Sequence, residues 1–278
     1  MHYTISDVLT VANDEFALAK LDHEILLANL LDLGREKLMA HPEYMVTENQ
    51  RNDFLLDCQR RDRGEPIAYI VGYKEFFGLH FEVDRRVLIP RPETELLVES
   101  ALEELLKDSS ATICDVGTGS GCISVSLAVN RKNLRVKSLD ISTDALMVAR
   151  KNLDLHDVAD RVELVESNLL SAVKDEKFEG IVANLPYIGR LELEMVDKDV
   201  LDYEPNLALF SGEDGLDLYT EFFDQLSKMH LPRWCIGEIG FAQFDSIKNL
   251  VKKFFPGASL EFKSDLAGIK RIFIIRFV

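Results

Sequence analysis

Four residues following an apolar run, Asn184-Leu185-Pro186-Tyr187, have the side chains to act on a planar nitrogen. An amide nitrogen is a poor nucleophile because its lone pair is delocalised into the carbonyl. Two acceptors aimed at its two N–H bonds orient it and stabilise the charge growing on nitrogen as it attacks. The Oδ1 of Asn184 is one such acceptor, and the backbone carbonyl of Leu185 is a second. Pro186 restricts Leu185 to extended geometry, which holds that carbonyl in place. Tyr187 offers a flat apolar face to a planar acceptor and a π-surface to a cation. The bland alternative is a plain turn, since Asn and Pro commonly follow strands.

A second constellation is Asp115-Val116-Gly117-Thr118-Gly119-Ser120-Gly121, between a strand and a helix running Cys122–Val129. Glycines let a backbone turn sharply and approach a ligand closely. A dinucleotide fingerprint would put its third glycine at position 122, where this chain has Cys122; the third glycine here is Gly121. Asp115 suits a ligand with a cationic amino group. Asp140, 19 residues past Gly121, stands where a ribose diol finds a bidentate acceptor. Loop and acids together point to a nucleoside ligand without a pyrophosphate, and S-adenosylmethionine fits. The alternative is a ligand-free tight turn, with Asp140 capping a helix.

The elements that must position these residues can be read from the pattern. From Glu93 onward strands and helices alternate. A helix over Glu93–Leu106 precedes strands at Thr112–Val116, Val136–Asp140, Val162–Val165, Gly180–Asn184 and Trp234–Ile239, with helices at Thr143–Leu155 and Leu216–Met229. This alternation predicts an α/β fold, a parallel sheet with helices on both faces. Ligands of such sheets sit beyond the carboxyl ends of the strands, so Asn184 should face the crevice of the glycine loop. Leu260–Phe262 and Arg271–Val278 read as a closing antiparallel hairpin.

Ahead of the sheet, residues 1–75 read as helical. Phe16, Leu18, Leu21, Ile25, Leu26 and Leu30 form one stripe of a helix over Asp14–Leu33. A second helix starts after Thr47, an N-cap with Gln50 three residues on, and runs to Arg63, where Gly64-Glu65-Pro66 stops it. Phe76–Val83 alternates like a hairpin and Val87-Leu88-Ile89 like a further strand. The expected organisation is a helical bundle over 1–75, a hairpin linker over 76–92 and a ligand-binding domain over 93–278.

Composition narrows the partners. The 278 residues are 47% hydrophobic, enough for one large core or two smaller ones. The net charge of −16 is spread along the chain, with no long basic run. Arg60-Arg61-Arg63 and Lys252-Lys253 read as solvated helix faces. Phosphate neutralisation supplies most non-specific nucleic-acid affinity, so an evenly acidic chain is a poor general DNA or RNA binder. A small molecule or a protein, even a basic one, is the better partner. Cys58, Cys114, Cys122 and Cys235 are scattered, with no Cys-x-x-Cys pair. Reduced thiols are expected, with no metal site and no disulfide framework. No apolar run approaches the ~20 residues of a membrane span, and no leader pattern opens the chain, so the expected location is cytoplasmic.

These motifs together resemble the HemK family, the protein-(glutamine-N5) methyltransferases that modify class I peptide chain release factors. The resemblance covers nearly the whole chain. It is carried by Gly64-Glu65-Pro66-Ile67-Ala68-Tyr69-Ile70-Val71-Gly72, Glu75-Phe76-Phe77-Gly78-Leu79 and Val87-Leu88-Ile89-Pro90-Arg91-Pro92-Glu93-Thr94-Glu95. Glu204–Leu209 and Gly212–Leu216 add to it. The resemblance implies a seven-stranded, Rossmann-like class I methyltransferase sheet behind a small helical domain that docks the substrate. It implies that Gly117, Thr118, Gly119, Gly121, Asp140, Asn168, Leu169 and Asn184 border S-adenosylmethionine, whose product is S-adenosylhomocysteine. It implies that Asn184, Leu185, Pro186 and Tyr187 hold the glutamine of a Gly-Gly-Gln motif, with Asn184, Pro186 and Tyr187 catalytic. Arg91 and Glu95 either shape the cofactor's lid or form a structural ion pair. No metal is implied.

The chain departs from the family pattern twice. Asn-Pro-Pro-Tyr becomes Asn184-Leu185-Pro186-Tyr187, which keeps the carbonyl but gives Leu185 an N–H and a free φ. An Asp usually follows the third strand, and here Asn168 does, keeping an acceptor oxygen without the charge. Two rival readings remain. A DNA or RNA adenine N6-methyltransferase would use the same tetrapeptide type on a flipped base, though the acidic charge opposes it. A scaffold that has lost activity would bind no cofactor, which a calorimetric titration separates.

Overall fold

Strands covered on both faces must be apolar throughout, and Gly180–Ala183 and Trp234–Glu238 are buried at every position. They are central strands of a seven-stranded sheet in the computed structural model, which describes residues 3–106 and 110–277. The chain forms two compact units, Met1–Tyr73 with Asp197–Tyr203, and Lys74–Val196 with Glu204–Val278.

In the first unit a short antiparallel pair, β1 (Tyr3–Thr4) and β2 (Met45–Val46), accompanies helices α1 (Ile5–Glu15), α2 (Lys20–Leu30), α3 (Arg35–Ala40), α4 (Glu48–Asp62) and α5 (Ile67–Val71). Val8, Leu26, Leu27, Leu38 and Phe54 fill its core. α4 starts where expected, with Thr47 and Gln50 exchanging reciprocal capping bonds. The single helix expected over Asp14–Leu33 is instead α1 and α2, broken at residues 16–19. A second capping box, Thr4 with Asp7, starts α1 well before Asp14, and extended backbone at Phe16 ends it. A late helix, α9 (Lys198–Tyr203), joins this unit. Arg61 bonds both Asp22 at 2.9 Å and Asp199 at 3.0 Å, and the Tyr203 hydroxyl donates to the Arg63 carbonyl.

The second unit opens with a hairpin, β3 (Tyr73–Phe76) and β4 (Leu79–Glu82), whose Phe76 and Phe81 lie in that unit's core. The strand expected at Val87–Ile89 does not form. The Val87 amide closes a turn onto the Asp84 carbonyl, and the Ile89 amide donates to the Glu204 carboxylate at 3.2 Å, leaving no ladder to join. Helix α6 (Glu95–Glu104) follows a 3-10 turn at Pro92–Thr94.

The sheet contains β5 (Thr112–Val116), β6 (Arg135–Asp140), β7 (Val162–Glu166), β8 (Gly180–Ala183), β9 (Trp234–Glu238), β10 (Ser259–Ser264) and β11 (Lys270–Arg276). Its order is β10-β11-β9-β8-β5-β6-β7, parallel except where β11 pairs antiparallel with β9 and β10. The last expected strand therefore starts one residue earlier, and its Val278 lies outside the described residues. One face packs α6, α7 (Cys122–Asn130) and α8 (Thr143–Leu155) on Ile113, Val136 and Ile236. The other packs α10 (Asp217–Ser227) and α11 (Phe244–Phe254) on Cys114, Ile181 and Cys235. The chain runs from β5 outward to β7, then returns to the other side of β5 at β8. That reversal between β5 and β8 is the topological switch point, where sheets of this kind open a ligand crevice.

Candidate active site

β5 and β8 are parallel neighbours that pair Val116 with Ala183, so the turns after them begin side by side. Gly117 is the closest approach. Its φ is +75°, a left-handed conformation that favours glycine, and its Cβ position lies 3.4 Å from both the Asn184 carbonyl oxygen and the Leu185 Cδ2. The Gly117 and Thr118 amides donate to the Leu139 carbonyl at 2.8 and 2.9 Å. Asp140 holds the loop from the next strand: one carboxylate oxygen accepts the Gly119 amide and the other the Ser142 amide, each at 2.9 Å. Burial raises the Asp140 carboxyl above its ordinary range, and those backbone bonds oppose the rise.

A cavity of about 180 Å³ opens at this point. At ~30 Å³ per water, it has room for several waters. Of the residues read as cofactor or substrate contacts, Gly117, Thr118, Gly119, Asp140, Asn168, Leu169, Asn184, Leu185 and Pro186 line it. Gly121 and Tyr187 stand outside the lining. Gly121 precedes α7, and its Cβ position lies 3.3 Å from Ala149 of α8, a packing contact. The Tyr187 hydroxyl donates to Glu238 at 3.2 Å, and its carbonyl accepts from Gln243 at 2.8 Å. Gly215, at φ +78°, passes so close to that carbonyl that a Cβ would sit 2.0 Å from its oxygen. Asn168 donates to Glu221 at 3.1 Å, and Leu169 adopts a left-handed backbone with φ +50°. Arg91 also lines the cavity, but its ion-pair partner is Glu204, at 2.5 Å. Glu95 accepts the Phe77 amide at 2.8 Å, supporting the hairpin turn.

The two departures from the family pattern have local answers. Leu185, where the family has proline, is buried, and the buried Tyr219 hydroxyl donates to the Glu238 carbonyl. The Asn168 amide donates to the Glu221 carboxylate in an exposed contact.

Two residues that the sequence reading passed over meet at Asn184. Its Nδ2 donates to Thr94 Oγ1 at 3.2 Å and to Glu238 Oε2 at 3.1 Å. Glu238 is 1% exposed. Burial raises its carboxyl, and the Thr94 and Tyr187 hydroxyls and the Arg271 charge oppose the rise. The available signal was an acid ending an otherwise apolar strand, Trp234-Cys235-Ile236-Gly237-Glu238, level with Asn184.

Asp115, read as a partner for a cationic ligand group, is wholly buried and stands outside the cavity lining. One carboxylate oxygen takes the Thr118 and Ser124 hydroxyls; the other has no partner among the described residues. Burial pushes its pKa from the ordinary 3.8 up to about 6. Between 3.8 and about 6 the unfolded chain ionises there while the folded chain keeps its proton, so stability falls as pH rises across that window and stays lower above it. Asp115→Asn stays neutral and is expected to melt above the parent at pH 8, by on the order of 3 kcal/mol at most. The gain should vanish near pH 4. Thermal melts across that range check it, and a gain independent of pH would contradict the buried charge.

Among the described residues, no helix is long and apolar enough to cross a membrane, and no group of three or more His, Cys, Asp or Glu is placed to hold a metal ion. All four cysteines are free and buried.

Residues 6–72 match the family model described as PrmC N-terminal domain, and residues 92–201 match that described as Methyltransferase small domain. The chain is 38% identical to a protein of Clostridium acetobutylicum named Release factor glutamine methyltransferase, over 95% of this chain and 93% of that one. It is 36% identical to a protein of the same name from Koribacter versatilis, over 92% and 91% of the two chains. Among solved structures it resembles the hMettl16 catalytic domain in complex with an RNA hairpin, with a TM-score of 0.59 over 84% of this chain and 82% of that one. At 14% identity, that likeness is one of fold alone.

Proposed function

The chain belongs to the release factor glutamine methyltransferase family, and from that premise we propose that it methylates the side-chain N5 of the glutamine in the Gly-Gly-Gln motif of class I peptide chain release factors. The methyl donor is S-adenosylmethionine. The observation that carries this reading is the Asn184 carboxamide: it lines the cavity beside the glycine loop while its Nδ2 is taken up by Thr94 and Glu238.

The residues present fit the donor. Gly117 holds a left-handed backbone that disfavours a side chain, and the Asp140 carboxylate borders the same cavity. Asp140 would accept from ribose hydroxyls, and the glycine loop would follow the amino-acid tail. Ile141, Asn168 and Leu169 would bracket the adenine. When bound, the cofactor supplies an electrophilic methyl group on a sulfonium.

The chain's own part is to orient the nucleophile. The Asn184 Oδ1 and the Leu185 carbonyl accept the two N–H bonds of the glutamine amide, which turns the nitrogen lone pair toward the methyl and stabilises charge growing on nitrogen. Pro186 fixes the Leu185 carbonyl, and Tyr187 braces the turn through its hydroxyl on Glu238. Transfer from the bound cofactor would form an N–C bond as its C–S bond broke, and the nitrogen's surplus proton would leave to water. The helical segment 1–75 serves to dock the release factor, and the second unit, its hairpin included, carries the chemistry. The −16 charge favours a protein over a nucleic-acid acceptor.

Incubation with methyl-labelled cofactor and a class I release factor, followed by mass spectrometry of the Gly-Gly-Gln peptide, tests the proposal. One added methyl on the glutamine nitrogen is expected. An unmodified glutamine, or label on an adenine of added nucleic acid, would overturn it.

A further inference from the structure

Glutamine and glutamate side chains have nearly the same shape, so a site that takes one must read donors and acceptors. We propose that Glu238 is the positioning residue that sets the polarity of the Asn184 carboxamide, and through it the site's choice of an N–H donor over a carboxylate. The inference rests on the glutamine-methylation reading.

The geometry is that of a buried acceptor hub. Glu238 ends β9, beside the residue that follows β8, because Gly237 pairs with Ala183. Its Oε2 accepts the Thr94 hydroxyl at 2.6 Å and the Asn184 Nδ2 at 3.1 Å, and its Oε1 accepts the Tyr187 hydroxyl at 3.2 Å. Oε2 already accepts the Thr94 hydroxyl, so toward Asn184 that oxygen accepts as well. Thr94 has one hydroxyl proton and spends it on Glu238, so toward Asn184 its oxygen can only accept, at 3.2 Å. Both protein neighbours of this end of the carboxamide are therefore acceptors. A flipped Asn184 would set its Oδ1 against two oxygens, lone pair on lone pair. The amide is thus held with N–H₂ toward Glu238, leaving Oδ1 for the cavity that Asn184 lines.

An Oδ1 facing the cavity welcomes the N–H of a glutamine and repels the oxygen of a glutamate. Sites built around such a bond reject the mismatched analogue strongly, because a buried polar group is left unpaired. Glu238 is buried and held by three hydrogen bonds. The charged side chains that act on it are Arg271, itself bonded to Asp265 at 2.8 Å, and Glu93.

Glu238→Met removes the acceptors at similar bulk and frees the Thr94 proton to bond Asn184 Oδ1, which favours the flip. Glu238→Gln is the conservative partner. Its amide oxygen can face Thr94 and Asn184 while its N–H₂ faces the Tyr187 hydroxyl, which can also accept.

The test has a structural and a kinetic arm, both on the full chain. With selective ¹⁵N-asparagine labelling, and the resonance assigned by its loss in Asn184→Ala, the Asn184 side-chain protons should exchange slowly in the parent and fast in Glu238→Met. Unchanged exchange in a folded Glu238→Met overturns the inference whatever the substrate proves to be. A parent that shows slow exchange yet leaves glutamine unmethylated sinks only the functional reading. In the kinetic arm, Glu238→Met should lower kcat by about 30-fold or more with cofactor affinity unchanged, and Glu238→Gln should recover most of it. The preference for a Gly-Gly-Gln over a Gly-Gly-Glu peptide in binding should fall at least about tenfold in Glu238→Met. A rate loss matched by lost cofactor binding, or an unaltered peptide preference, would mark Glu238 as merely structural.

Discussion

Asn184→Ala is expected to lower kcat for glutamine methylation by about 10²–10³-fold, the loss typical when one preorganised group facing developing charge is removed. The alanine takes away Oδ1, one of the two acceptors that orient the amide nitrogen. It also takes away the donor that satisfies Glu238 Oε2 and Thr94 Oγ1. The effect should fall on kcat. The bond to Asn184 strengthens as charge builds on nitrogen, so the interaction is worth more in the transition state than in the ground state. Cofactor affinity should stay within about threefold, because the glycine loop is held by Leu139 and Asp140 and not by the Asn184 side chain. Single-turnover transfer and calorimetric titration on the same preparation separate the two quantities. An alanine variant at the parental rate would remove Asn184 from the reaction.

Asp140→Ala is expected to weaken S-adenosylmethionine binding by about 10²-fold or more, with kcat at saturating cofactor much less affected. Each charge-assisted hydrogen bond to a carboxylate contributes roughly 1.5–3 kcal/mol, and a ribose diol offers two. The same carboxylate holds the Gly119 and Ser142 amides, so its loss also loosens the loop that forms the cavity wall. Asp140→Asn separates these roles: one amide oxygen can still hold Gly119, but the two-point acceptor for a diol is gone. An intermediate affinity is expected for it. Calorimetry with the cofactor and with adenosine alone would show whether the loss lies in ribose binding. A parental Kd in Asp140→Ala would place the nucleoside elsewhere.

Elements whose signal is local were legible in the amino-acid order alone. Alternating strands and helices, glycines at 117, 119 and 121, and an acid at the end of the second strand are written in neighbouring residues. The Thr47 capping box was legible because both partners lie within four residues. So were the sheet class and the crevice it opens, since strand–helix alternation leaves few topologies. Patterns that depend on distant partners were not legible. Val87–Ile89 has the composition of a strand, but its amides go to Asp84 and to Glu204, 115 residues away from Ile89. Arg91 finds Glu204 and not Glu95, which lies one helical turn along the chain. Tyr187 turns its hydroxyl to Glu238, a partner 51 residues on.

Which end of Asn184 faces the cavity follows from long-range packing. A carboxamide has the same shape either way round, so its polarity is set by the acceptors packed against it. Those acceptors come from Thr94 and Glu238, 90 and 54 residues away in sequence. They reach Asn184 because β8 and β9 run in register and the chain before α6 packs over their ends. The residue type that suits a planar nitrogen is a local property of the chain. The direction in which it points is a property of the fold.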